Sequence, residues 1–488
     1  MTTVETEAAA PLTWQPPAGG LWSGRWVDGG SAMSVYDPED GSLVGRVADA
    51  SPAEVDRAVT GVAAAVATEE WPAWQRREAL DAAARLVLRR RAALTELISR
   101  EGCKTVREAD REVSRAAETL RLSAQQTAHL TGETLPFADT PRGAGRLGWY
   151  TREPVGVVAA ITPFNDPLNL VAHKVGPALA GGNGVVLKPA EATPLTALAF
   201  AQILLDSGVP AGRLAVVPGT GSGAGRALVG HPLVDLVSFT GGHRTGDEVA
   251  RAAGAKKTLM ELGGNNAVLV LDDADREAAA RAVVDGAFGV AGQNCLSVQR
   301  VFVDARIAAR FTQDVVAMTE ALRVGGKADP RTDIGPLINE REARRVEGWV
   351  RQAHDAGAEV RTGDRRQGAF YWPTVLTGVP ADALVMTEEV FGPVLVIEPF
   401  DTVDDAVARV NETRYGLQAG VFTAGLEAAL DIADRLRVGA VMVNDSSDFR
   451  IDAMPFGGPK RSGVGREGVR YAVEAMTEPK IVAVRRGA

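Results

Sequence analysis

At 488 residues the chain is too long for one hydrophobic core, so two or three domains are expected. A hydrophobic content of 45% with 24% charged residues is ordinary for a soluble globular protein, and a formal net charge of −9 argues against nucleic acid as the main partner. The two cysteines, Cys103 and Cys295, make no disulfide framework and fit a reducing, cytoplasmic setting. No apolar run reaches about 18 residues, so no membrane span is expected. The five histidines are scattered without metal-ligand spacing, so no metal site is expected either.

The first ~20 residues are acidic, then rich in Ala and Pro; they lack a signal-peptide pattern and read as flexible. Trp22 to Arg46 alternates apolar residues with Gly turns, which predicts a hairpin anchoring the N-terminus. Ser51 to Arg100 reads as helical, opened by Ser51-Pro52 and interrupted at Trp71-Pro-Ala-Trp74. Val106 to Gln126 is a second amphipathic helix. Residues 129–150, rich in Gly, Thr and Pro, read as an extended hairpin arm.

From Pro154 the rhythm becomes strand, turn, helix. Strands are expected at Val155–Ile161, Gly184–Leu187, Leu214–Val217, Val234–Phe239 and Lys257–Glu261. Helices are expected at Asn169–Leu179, from a Thr193-Pro194 cap to Asp206, at Gly223–Val229 and at Arg244–Ala253. Short apolar strands alternating with helices imply a doubly wound parallel sheet, whose ligands sit at the carboxyl ends of the strands. Asn266 to about Val443 repeats the theme as a second α/β domain. The C-terminal Glu478-Pro-Lys-Ile-Val-Ala-Val-Arg is a strand that could pair with the 129–150 arm of its own chain or a neighbour's.

Cys295 lies between a helical run, Asp275 to Gly289, and a strand, Ser297 to Val303. Gly292 breaks the helix and leaves the thiol in a loop, reachable from outside while its backbone is held. Taken alone, a free Cys is more simply a small buried apolar residue.

Six further stretches carry groups useful at a reaction centre: Thr162-Pro-Phe-Asn165, Lys188-Pro-Ala-Glu191, Val217-Pro-Gly-Thr-Gly-Ser-Gly-Ala-Gly225, Phe239-Thr-Gly-Gly-His-Arg-Thr-Gly246, Glu261-Leu-Gly-Gly264 and Glu388-Glu-Val-Phe-Gly-Pro393. With Gly292-Gln-Asn-Cys295 and Pro455-Phe-Gly-Gly-Pro-Lys-Arg-Ser-Gly463, they resemble the NAD(P)-dependent aldehyde dehydrogenase superfamily over nearly the whole chain and in the same order. Gly242, Thr-Pro-Phe-Asn165 and Phe449-Arg-Ile-Asp-Ala-Met-Pro455 resemble its lactaldehyde and phosphonoacetaldehyde branch.

The resemblance implies an α/β fold with two doubly wound parallel-sheet domains plus a β oligomerisation arm. The cofactor-binding domain would take residues 1–128 and 151–259, the catalytic domain 260–469, and the arm 129–150 and 470–488, joining a homodimer or homotetramer. Hydride can leave the substrate only from an sp³ carbon bearing O⁻, which thiolate attack on an aldehyde creates. Cys295 is the candidate, because Cys103 sits in the charged segment Arg100-Glu-Gly-Cys-Lys-Thr. The resemblance assigns the oxyanion donors to the Asn165 side chain and the Cys295 N–H, although Asn165 could also be a turn former before Asp166-Pro167. It assigns Glu261 as the base that hydrolyses the thioester.

For the cofactor, the resemblance implicates Thr162, Pro163, Phe164, Gly221, Gly225, Phe239, Thr240, Gly241, Gly242 and Leu262. Lys188 and Glu191 would hold the adenosine ribose, and Glu389 and Phe391 the nicotinamide end. A carboxylate at Glu191 would repel a 2′-phosphate, which favours NAD, with NADP the alternative. Gly242 stands where many members have Ser, so a backbone N–H would replace that pyrophosphate contact.

Substrate choice falls to residues around the thiol. Asn294, where members acting on strongly anionic aldehydes often have Arg, and Asp166, which adds negative charge, favour a small neutral or hydroxylated aldehyde. Arg450 and Arg115 pull toward an anionic one, unless they are surface ion-pair partners. Three alternatives stay open: an anionic aldehyde, a coenzyme A-acylating enzyme, and an inactive binding homologue. The presence of Glu261 speaks against the second, and retention of thiol, base and donor against the third.

Overall fold

The computed structural model describes residues 19–22 and 24–486. The stretch read as flexible, up to residue 18, lies outside them.

Two twisted sheets form the frame. The first runs Arg25–Val27, Gly20–Trp22, Leu214–Val216, Gly184–Lys188, Val157–Ile161, Leu236–Thr240, Lys257–Glu261 and Gly463–Val464 in lateral order. Its strands from Leu214–Val216 to Lys257–Glu261 are parallel, and the flanking edges are antiparallel. These strands carry apolar residues at successive positions because both faces are covered. Val158, Ala160, Val185 and Leu187 enter one core with the helices of 73–124 and 194–204, whereas Val157, Ala159, Ile161 and Val186 enter another with the helix Pro52–Thr68. The order of the strands reverses between Val157–Ile161 and Leu236–Thr240, which opens a crevice at their carboxyl ends.

The second sheet runs Glu359–Thr362, Thr374–Thr377, Val394–Phe400, Val298–Asp304, Asn266–Val270, Gln418–Phe422 and Ala440–Val443, parallel except for its first strand. A third, small sheet pairs Thr477–Arg485 with Arg146–Pro154, and that strand with Glu133–Thr134. The C-terminal strand therefore pairs with the arm within its own chain.

Several expectations change. The N-terminal hairpin is two hairpins, Gly20–Trp22 with Arg25–Val27 and Ala32–Tyr36 with Leu43–Ala48. The 51–100 region is three helices, because a second break falls at Arg90. In the arm, two short 3₁₀ turns replace most of the extended strand before Arg146. Thr193 precedes Pro194 as expected but makes no side-chain cap; the buried Glu101 carboxylate accepts the Leu195 and Thr196 N–H groups instead, at 2.8 and 2.7 Å. The segment 463–475, expected in the catalytic domain and arm, returns to the first sheet. Gly463–Val464 pairs with Met260 and Glu261, and the helix Val469–Ala475 buries Ala472 and Val473 in the first core.

Candidate active site

The carboxyl ends of the first sheet face the amino ends of the second. Thr162, Phe239–Gly242 and Glu261 leave the first sheet where Cys295 and Phe391 approach their strands in the second. A cavity of about 420 Å³ between them is lined by Thr162, Pro163, Phe164, Asn165, Phe239, Thr240, Gly241, Gly242, Glu261, Leu262, Cys295, Glu389, Phe391 and Arg450. On one side it shares Phe164, Gly242, Glu389 and Phe391 with a cleft of about 770 Å³ that also holds Lys188, Glu191 and His243. On the other it shares Asn165, Cys295 and Arg450 with a cavity of about 580 Å³ bordered by Asp166, Asn294 and Arg115. Cys295 thus stands where the central cavity opens into the chamber of about 580 Å³.

The nucleophile loop is tightly held. The preceding helix ends at Phe288, earlier than Gly292, and Val290, Ala291 and Gly292 are all left-handed. Glu108 accepts the Val290 N–H at 2.8 Å, and the Gln293 amide donates to Val290 O at 3.0 Å. Asn266 Nδ2 donates to Cys295 O at 2.7 Å. The Glu261-Leu-Gly-Gly264 turn packs on the same carbonyl: a Cβ on Gly264 would lie 2.4 Å from Cys295 O. Among the described residues, the Cys295 N–H and the Asn165 side chain make no hydrogen bond, and Asn165 is buried against the cavity. Two donors without protein partners beside a thiol can receive an oxyanion. Burial, then the nearby Glu389 carboxylate, push the Cys295 thiol well above its ordinary range, and Arg450 pulls it down. Cys103, in contrast, is sealed in the core with its thiol pushed up to about 12 by burial.

Glu261 is buried. Its Oε1 accepts the Glu467 N–H at 3.3 Å, while Oε2 has no partner. Burial, then the Glu467 charge, raise its carboxyl well above the ordinary range, making it a stronger base once ionised. Glu467 itself is held by Lys174 Nζ at 2.6 Å.

The cleft fits a dinucleotide. Lys188 is buried with its Nζ on Pro189 O at 2.9 Å, and burial lowers its ammonium to about 8. Glu191 accepts the Gly221 N–H at 2.7 Å, which fixes the carboxylate over the Gly-rich turn. A Cβ on Gly225 would press on the Lys188 stem at 3.3 Å, and one on Gly242 would meet nothing within 4 Å. Gly242 opens the helix His243–Ala253, whose first N–H groups are free to meet phosphate. Glu389 accepts the Gly264 N–H at 3.1 Å, and Phe391 meets Phe164 edge-on at 5.7 Å.

The two residues behind the expectation of a neutral substrate are both engaged by neighbouring groups in the folded chain. The charge of Asp166 is matched by Lys104 and by Arg115, the latter at 3.3 Å. Asn294 donates its amide to Asp448 and accepts the Leu296 N–H at 3.2 Å, so it closes a turn. Arg115 is a paired residue as well as a cavity one, with Asp452 at 2.9 Å. Arg450 is no surface partner: its side chain is 7% exposed, and its nearest carboxylate, Glu467, stands 4.0 Å away. Its Nε and Nη2 have no hydrogen-bond partner among the described residues, and the guanidinium lies 3.7 Å from the Phe456 ring centroid.

Sequence reasoning missed the groups that carry these residues. Glu112 accepts the Leu168 and Asn169 N–H groups at 2.7 and 3.0 Å and is itself bound by Lys104, which fixes the turn bearing Asn165. His173 at 2.9 Å and Arg115 hold Asp452 on the loop that carries Arg450. Charged residues on an amphipathic helix read as a solvated face, and nothing in their spacing marks them as buried.

Comparison with known proteins agrees with this arrangement. The family model "Aldehyde dehydrogenase family" matches residues 26–482. The chain is 46% identical to aspartate-semialdehyde dehydrogenase 1 of Pseudomonas canavaninivorans, covering 93% of this chain and 96% of that one. It is 43% identical to 3-sulfolactaldehyde dehydrogenase of Priestia megaterium, covering 95% and 97%. Among solved structures, the NADP complex of the NADP-dependent glyceraldehyde-3-phosphate dehydrogenase of Bacillus halodurans superposes with a TM-score of 0.94 at 37% identity, covering 96% and 99%.

Proposed function

The chain belongs to the aldehyde dehydrogenase family and is an NAD(P)-dependent oxidoreductase, and from that premise we propose that it oxidises a short aldehyde bearing an acidic group to the carboxylic acid. Arg450 carries this reading: a buried guanidinium without a hydrogen bond, on the cavity that holds Cys295, needs an anion to satisfy it. The relatives named above act, by their names, on aldehydes carrying carboxylate, sulfonate or phosphate.

In the proposed course Cys295 first loses its thiol proton to solvent, the thiolate Sγ attacks the aldehyde carbon, and the Asn165 amide and the Cys295 N–H receive the oxyanion. Lys188, Glu191, Glu389 and Phe391 would hold a nicotinamide dinucleotide, which would supply the hydride acceptor. Glu261 then takes a proton from water as the water attacks the thioester, releasing the acid and the thiol. A buried carboxylate at this place supports hydrolysis over transfer to coenzyme A. Glu191, its carboxylate fixed over the Gly-rich turn, supports NAD over NADP. A cytoplasmic location and a homodimer or homotetramer complete the proposal; among the described residues no helix is long and apolar enough to cross a membrane.

The test is a panel of short aldehydes with and without an acidic group, assayed with the wild type and Arg450→Met. Losing a charge-assisted hydrogen bond costs about 1.5–3 kcal/mol, so KM for the acidic aldehydes should rise about 10- to 100-fold. KM for neutral ones should hardly move. A wild type that prefers neutral aldehydes refutes the proposal.

A further inference from the structure

The charges around the Cys295 cavity are nearly all matched. Lys104 binds Glu112 at 2.7 Å and also Asp166, Arg115 binds Asp166 and Asp452, and Arg107 binds Asp333 at 2.6 Å. Glu108 is spent on backbone N–H groups and the Thr105 hydroxyl. Arg111 and Asp285 are exposed at the rim. Two groups inside are left without a close ion pair among the described residues. One is Arg450, whose nearest carboxylate, Glu467, stands 4.0 Å away and is already held by Lys174. The other is Asp448, two residues away on the same loop, whose carboxylate accepts, among the described residues, only from the neutral amide of Asn294, next to the thiol.

Asp448 is half-buried, and its Oδ2 takes no hydrogen bond among the described residues. Burial, opposed by Arg115, raises its carboxyl to about 6, so it is mostly ionised at neutral pH. A carboxylate with no direct ion pair and a guanidinium with only a 4.0 Å one, on one wall, form a fixed dipole. A singly charged anion such as a simple semialdehyde would satisfy Arg450 and leave Asp448 desolvated with only the Asn294 amide as a partner, which is costly.

We propose that the substrate is an amino-acid-like aldehyde, its carboxylate paired with Arg450 and its ammonium group with Asp448. This rests on the reading of Arg450 as the anion anchor. It makes Asp448 a specificity-determining residue, with Asn294 orienting it beside Cys295. A hydroxyl in place of the ammonium could donate to Asp448 but would not neutralise it.

The experiment compares kcat/KM for aspartate semialdehyde, its hydroxy analogue and succinate semialdehyde, with the wild type and with Asp448→Asn. The wild type should prefer the amino compound over succinate semialdehyde by about tenfold or more, with the hydroxy analogue between them; for Asp448→Asn the amino-to-unsubstituted ratio should fall by about tenfold. As a binding readout, L-aspartate should protect wild-type Cys295 from iodoacetamide at lower concentration than succinate. Equal use of the amino and unsubstituted compounds by the wild type, or an unchanged ratio in a folded Asp448→Asn, overturns the dipolar assignment and leaves the anionic reading standing. Preference for the hydroxy analogue over the amino one overturns it too. Failure on all three, with neutral aldehydes oxidised, overturns the Arg450 reading itself.

Discussion

Cys295 carries an internal conflict: it must be a thiolate to attack, yet its surroundings favour the thiol. Burial and the Glu389 carboxylate act in the same direction, and only Arg450 among the larger influences opposes them. A thiol whose pKa lies well above the assay pH has a thiolate fraction that grows tenfold per pH unit. In the protein without cofactor, the rate of Cys295 alkylation by iodoacetamide should therefore climb without levelling between about pH 7 and pH 9. A plateau before about pH 8 would show a thiolate stabilised by something other than these groups. Arg450 also shows where residue-level reading stops. A lone Arg with Asp448 and Asp452 two residues to either side reads as a surface ion-pair partner. Glu467, the nearest carboxylate, is bound at 2.6 Å by Lys174, nearly three hundred positions away in the chain, and that pairing leaves Arg450 available.

The loops show why glycines surround the site. Gly292 was legible as a helix breaker. Its structural requirement is tighter, since its φ of 70° and a Cβ only 2.2 Å from Gly392 O leave room for no side chain. Val290, β-branched at a φ of 53°, was not legible at all; its conformation depends on Glu108, from a helix far away in sequence. Gly264 ties the turn of the base to the turn of the nucleophile. Gly264→Ala must displace the Cys295 carbonyl or its own turn, because the added carbon would stand 2.4 Å from that oxygen. A misplacement on the order of 1 Å at a reacting group costs about 100-fold, so kcat/KM should fall by roughly that factor while thermal stability changes far less. An activity within a few-fold of wild type would mean that the two turns move independently.

At the scale of the molecule, the alternation of short apolar strands with helices made both parallel sheets legible, because burial on both faces leaves a continuous apolar signature at Val157–Ile161 and Asn266–Val270. Long-range returns left no such mark. The pairing of Gly463–Val464 with the first sheet, and the docking of Val469–Ala475 on it, are two-residue and seven-residue elements whose partners lie far upstream. The arm presents Leu147, Ile481 and Val484 to solvent at 42%, 62% and 45% exposure, which a single chain leaves uncovered. Light scattering should find a dimer or tetramer, and Ile481→Asp with Val484→Asp should weaken it; a wild-type monomer would remove the arm from the proposed assembly. The central claim is that Cys295, Asn165 and Glu261, brought together from three parts of the chain, divide one oxidation into acylation and hydrolysis. Rapid mixing of Glu261→Gln with aldehyde and NAD tests it most directly. The account predicts a burst of reduced cofactor stoichiometric with subunits, followed by almost no turnover. Steady turnover at the wild-type rate would contradict it.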